Sequence, residues 1–139
     1  MEKKFSFTTI INWLKSTEMF ACPSRQIPGK WQLVEYYVEI EKELRNITEG
    51  QFKAAGKFMN IEFTPEKNYS ISSNLPVTLI SEIKNGNWAV SKNYITLTSS
   101  GASVESFEFQ FAIENEILKI LKKDASGRID FFGFFRKTM

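Results

Sequence analysis

The stretch IPGKWQLVEYYVEI, residues 27–40, decides how this chain is read. Pro28 ends whatever precedes it, because proline lacks the amide proton and its ring clashes with a preceding helical turn. From Gly29 onward aromatic and β-branched residues dominate, which marks a long strand over Gly29–Ile40. Regular alternation places Trp31, Leu33, Glu35 and Tyr37 on one face and Val34, Tyr36, Val38 and Ile40 on the other.

Toward the C-terminus the period of two persists. Strands are expected near 51–58, 59–64, 68–73, 77–84, 87–91, 93–98, 103–114, 116–123 and 127–137, with residues 41–50 as a loop or one short helical turn. Thr64-Pro65-Glu66-Lys67, Asn74-Leu75-Pro76 and Asp124-Ala125-Ser126-Gly127 are turn sequences, and Asn85-Gly86 is a type I′ hairpin signal. The connections are too short for parallel crossovers. About ten short strands therefore form an antiparallel meander, which manages its edges by closing into a barrel or folding as a sandwich. Toward the N-terminus, Phe7, Ile10, Ile11 and Leu14 recur at i, i+3, i+4 and i+7, with Trp13 and Phe20 widening the stripe. This spacing predicts a helix over 5–20. The 139 residues then divide into a helix and linker (1–27) and an all-β body (28–139) within one domain.

In an up-and-down barrel the last strand pairs antiparallel with the first. The last strand lies in RIDFFGFFRKTM, residues 128–139. That pairing brings Arg136 to Trp31, where a guanidinium stacks on an indole face. Gly29, Trp31 and Arg136 are thus the expected closure of one barrel end.

These features in their order resemble the lipocalin superfamily, and within it the bacterial lipocalin-like domains. GKWQLVEYY resembles their G-x-W-x-L-V opening strand. GNWAVSKNYITLT (86–98) and FQFAIENEILKI (109–120) resemble two successive hairpins, and FFGFFRK an aromatic final strand ending in Arg. The resemblance spans roughly residues 27 to 137. It departs from the classical pattern in having no disulfide pair and no T-D-Y-type turn. It implies an antiparallel up-and-down β-barrel of about 8–10 strands with an apolar interior, and it implies no reaction.

The residues themselves suggest what faces inward. Phe107, Phe109, Phe111 and Ile113 alternate with Ser106, Glu108, Gln110 and Ala112; Met59, Ile61 and Phe63 alternate with Asn60, Glu62 and Thr64, and Ile95 and Leu97 with Tyr94, Thr96 and Thr98. Ile129, Phe131, Gly133 and Phe135 share one face of the last strand, and Phe132 and Phe134 the other. A strand apolar on both faces needs outside cover. The N-terminal helix is able to supply that cover or to plug a barrel end, and both placements stay open. Thirteen phenylalanines either fill the interior or line a cavity. On the cavity reading a small hydrophobic ligand meets Trp31, Leu33, Glu35, Tyr37, Ile61, Phe63, Phe107, Phe109, Phe111, Arg128 and Phe131. Arg128 would receive a ligand carboxylate, with Glu35 and Glu82 as further polar positions. The alternative is a filled barrel acting as an interaction or structural module.

Composition narrows the chemistry. The chain has no histidine, which removes Ser-His-Asp and Cys-His catalysis and the commonest transition-metal ligand. A non-enzymatic protein without cofactor or metal is expected. A net charge of +2, from interleaved basic and acidic residues, does not mark a nucleic-acid partner. No stretch approaches the ~18 uncharged apolar residues of a membrane span. The lone Cys22 fits a reducing compartment. Lys15 and Glu18 interrupt a signal-like N-terminus, so a cytoplasmic location is expected, with secretion or lipid attachment at Met19-Phe20-Ala21-Cys22 as the alternative.

Overall fold

A computed structural model describes residues 23–100 and 104–138. The expected helix over 5–20, its placement and Cys22 lie outside the described residues. Period-two alternation is realised in nine antiparallel strands among the described residues: β1 (Gly29–Ile40), β2 (Glu43–Thr48), β3 (Met59–Phe63), β4 (Asn68–Ser73), β5 (Asn85–Ser91), β6 (Tyr94–Ser99), β7 (Ser106–Glu114), β8 (Ile117–Lys123) and β9 (Ile129–Thr138). Three short helices accompany them: α1 (Pro23–Gln26), α2 (Glu49–Ala54) and α3 (Thr78–Glu82).

Strands β3 to β9 pair in chain order, and β1 joins the two ends of the series. It takes β9 along one edge from Lys30 to Tyr37 and β3 along the other from Gly29 to Gln32. Eight strands thereby close into a barrel, which leaves no edge among them to pair with another chain. The ninth, β2, continues the second edge of β1 beyond β3, from Glu35 to Ile40.

Several expected elements change type. The segment expected as a strand near 51–58 begins as helix α2. Its Thr48 N-cap accepts from the Gln51 amide while the Gln51 side chain accepts from the Thr48 amide, a reciprocal capping box. The segment expected as a strand near 77–84 is helix α3, and the expected loop at 41–50 contains β2. Asn85-Gly86 is no hairpin turn but the start of β5. A Cβ on Gly86 would overlap the Thr98 carbonyl oxygen of the neighbouring strand, so glycine serves close backbone approach. The two-residue turns with positive φ at both positions are Glu41-Lys42 and Asn115-Glu116.

The alternation itself is broken twice. In β1, Leu33 faces Phe135 and Glu35 faces Phe134, so Val34 is an extra residue in a β-bulge. Between β8 and β9 the register likewise shifts, with Lys122 opposite Phe131 and Lys123 opposite Ile129, leaving Asp130 extra. A one-residue insertion reverses every side chain beyond it. Tyr36 therefore joins the interior, while Tyr37 and Ile129 join Ala112, Leu121 and Phe132 in a second buried cluster on the outer face. Leu44 and Phe134 pack against that outer cluster.

Candidate functional site: the barrel interior

Two tryptophans close the base of the barrel. Trp31 is 1% exposed and donates its indole N–H to the Ile27 carbonyl at 2.9 Å. Trp88 donates to the Thr64 carbonyl at 3.1 Å and meets the Phe63 ring edge-on, with centroids 5.7 Å apart. A lysine stands over each indole: Lys137 Nζ is 5.3 Å from the Trp31 ring and Lys67 Nζ is 4.1 Å from the Trp88 ring. Both indole N–H groups are thus paired, as buried donors need to be.

The cation at Trp31 corrects the expected closure. Trp31 lies opposite Lys137, and Arg136 lies opposite Gln32 on the outer side of the sheet. Arg136 bonds Glu49 at 3.3 Å, which also pairs with Lys53 at 3.0 Å. These two cations hold the Glu49 carboxyl below the usual carboxylate range, the Lys53 hydrogen bond being the larger cause. Gly29 keeps its expected place. Its φ of 137° disfavours other residues, and a Cβ there would sit 2.7 Å from Lys137 Cε.

The middle of the barrel is hydrocarbon. Met59, Ile61 and Ile71 of β3 and β4 face Leu97, Phe109, Ile120, Phe131 and Phe135 across a void of about 20 Å³. Helix α3 lies between β4 and β5 in the chain and sends Leu79 and Ile80 into the same space, joined by its C-cap residue Ile83. Ile80 and Ile83 are buried to 4% and 1% exposure. Helix α2 fills the gap between β2 and β3, with the buried Phe52 ring 6.2 Å from that of Tyr36. The void is about the size of one water but offers none of the two to four polar partners a water needs, so it is dry.

One buried polar atom of this interior is unpaired. The Tyr69 hydroxyl is buried with no hydrogen-bond partner among the described residues. Burial pushes its pKa up to about 12. Tyr69 belongs to the interior cluster and lies two residues from the void-lining Ile71 on the same face of β4.

Of the residues expected at a ligand site, the fold brings Trp31, Leu33, Ile61, Phe63, Phe109, Phe111 and Phe131 together in the interior, with Phe107 half-buried against them. Glu35, Tyr37 and Arg128 are not there. The Val34 bulge turns Glu35 outward, where its carboxylate accepts from Asn46 Nδ2 at 2.9 Å. Tyr37 lies in the outer cluster against Phe132 and Phe134. Arg128 is exposed at the rim, 3.9 Å from the Glu39 carboxylate, and Glu82 is exposed as well. Sequence reasoning missed Tyr69 and the α3 side chains. Tyr69-Ser70-Ile71-Ser72 carries a clear alternation, whereas Leu79, Ile80 and Ile83 carry no signal separating a short helix from a buried strand.

Among the described residues no cluster of three or more His, Cys, Asp or Glu could hold a metal ion, and no helix is long and apolar enough to cross a membrane. Set against known families, residues 27–120 match the model of a lipocalin-like domain. No curated protein and no solved structure gives a significant match. The matched span includes Trp31, Tyr69, α3 and most of the void lining, while Phe131 and Phe135 of β9 lie beyond it.

Proposed function

The chain belongs to the lipocalin-like domain family, and on that premise we propose that it is a binding protein, not an enzyme, which takes a slender apolar ligand into its barrel. The observation that carries this reading is the lining of the void: apolar side chains alone, two of them, Leu79 and Ile80, supplied by the short helix α3 and a third by its C-cap Ile83. A volume of about 20 Å³ holds no organic ligand. Entry therefore requires α3 to withdraw Leu79, Ile80 and Ile83, and the ligand replaces their contacts. Helix α3 suits that task. It spans five residues and its N-cap, Val77, makes no side-chain cap hydrogen bond.

The small void also supports a second reading, a filled barrel that acts through its surface. Thermal melting against a panel of medium-chain alcohols, ketones and neutral dyes separates the two. A ligand that binds only the folded barrel, present at 100 times its Kd, stabilises it by about 2.7 kcal/mol. Ile83→Ala enlarges the space under α3 and is expected to tighten binding of the bulkier probes. Failure of every probe to stabilise both parent and Ile83→Ala would favour the filled barrel.

A further inference from the structure

The proposed ligand site contains a recognition point. We propose that the Tyr69 hydroxyl anchors a neutral hydrogen-bonding group, a hydroxyl or a carbonyl, on a ligand that is otherwise hydrocarbon. This inference rests on the ligand-binding reading above and names the chemical class of the ligand.

Tyr69 is 3% exposed and its hydroxyl has no partner among the described residues. Leaving such a group unpaired is costly, and native structures rarely do so without a reason. Its surroundings are otherwise satisfied. The two buried indoles donate to Ile27 and Thr64 carbonyls, and the buried Ser99 hydroxyl donates to the Glu105 carbonyl at 3.3 Å. Tyr69 lies next to the void-lining Ile71 on the interior face of β4. Two strand residues, from Ile71 to Tyr69, span about 7 Å, roughly the reach of a short alkyl segment. A chain entering under α3 thus finds hydrocarbon along its length and a phenol that both donates and accepts at its far end.

The same interior argues against a charged head group. Among the described residues the buried cation is Lys119, which lies on the outer face opposite Ala112 and pairs with Glu114 at 3.1 Å. A carboxylate carried down to Tyr69 would give up its water for an interior whose nearest cations, Lys67 and Lys137, are exposed on the far side of the two indoles, a large penalty. The ligand class is therefore a fatty alcohol, aldehyde or ketone and not a fatty acid.

Displacement of a neutral dye, phenylnaphthylamine, by decanol and by decanoate tests this in the full chain. The parent is expected to bind decanol at least ten-fold tighter than decanoate. Tyr69→Phe is expected to weaken decanol about five- to ten-fold, the loss of one neutral hydrogen bond. Without ligand, Tyr69→Phe is expected to melt a few degrees higher, because it removes an unpaired buried hydroxyl. Equal decanol affinity in parent and Tyr69→Phe overturns the anchor while leaving barrel binding intact. So does decanoate binding as tightly as decanol, and so does a melting temperature for Tyr69→Phe at or below the parent's. Dye and decanol both failing to bind the parent would overturn the ligand-binding reading and the anchor with it.

Discussion

Trp31 and Lys137 face each other across the β1–β9 junction, the ammonium nitrogen 5.3 Å from the indole centroid. The same lysine donates to the Gln26 carbonyl at 3.2 Å, so it ties the last strand to the segment entering the first. Lys137→Ala is expected to cost about 1 kcal/mol in denaturant unfolding, through a cation–π contact and a backbone hydrogen bond. Arg136→Ala, which removes an exposed pair with Glu49, is expected to cost no more than ~0.5 kcal/mol. The reverse order would mean that Arg136 is the closing cation.

The Val34 bulge decides which of two adjacent tyrosines is inside. Tyr36 stacks on Phe131 with centroids 5.6 Å apart, and Glu35 beside it points outward. Tyr36→Ala is expected to lose about 3–5 kcal/mol, the range for truncating a buried aromatic. Glu35→Gln, which keeps an amide oxygen to accept from Asn46 and Tyr37, is expected to shift stability by no more than ~1 kcal/mol. A clear gain on neutralising Glu35 would instead place its carboxylate in the barrel.

Gly133 lies in β9 between the interior rings of Phe131 and Phe135. A Cβ there would sit 2.6 Å from one and 2.9 Å from the other. Gly133→Ala overpacks this layer and is expected to cost about 1–3 kcal/mol by chemical unfolding. A neutral outcome would show that the rings have room to shift.

Two hairpins hold a pair of consecutive non-glycine residues at positive φ, Glu41-Lys42 at 52° and 67° and Asn115-Glu116 at 53° and 64°. The left-handed conformation costs an L-residue with a Cβ roughly 1–2 kcal/mol. Glu116→Gly relieves that strain and is expected to raise stability by up to ~1 kcal/mol after its own entropy cost. A fall in the unfolding midpoint would contradict the turn geometry.

Stability should decline in alkali. Tyr69 and Tyr37 are pushed up to about 12 from 10.0, by burial in both and additionally by Glu35 at Tyr37. The unfolded chain gives up these phenolic protons near its ordinary value while the folded chain keeps them. The associated stability is full below pH 10.0 and is lost between there and about 12. The Tyr69 share is on the order of 2 kcal/mol, and Tyr69→Phe should abolish it. An unaltered alkaline slope in Tyr69→Phe would contradict the burial of the ionising oxygen.

Wherever alternation runs unbroken, the interior was legible from sequence. Phe107, Phe109 and Phe111, Ile61 with Phe63, and Trp31 with Leu33 all face as their spacing requires. Legibility stopped at Val34 and Asp130, because a single inserted residue has no composition of its own yet inverts everything after it. It stopped also at Leu79, Ile80 and Ile83, where five helical residues are too few to establish a period. The pairing of first and last strands was expected correctly, and its register, one residue away, exchanged Arg136 for Lys137. Unpaired status, the property that singles out Tyr69, belongs to the packed interior and has no trace in the sequence.

The central claim is that an apolar ligand enters beneath α3, and methyl NMR of the full chain during a decanol titration tests it most directly. Saturable shifts are expected at the Ile61, Ile71, Ile80, Ile83 and Ile120 methyls, which line one void from β3, β4, α3 with its C-cap, and β8. Shifts confined to exposed methyls such as Ile40 and Val104, with the interior set unmoved at saturation, would contradict it.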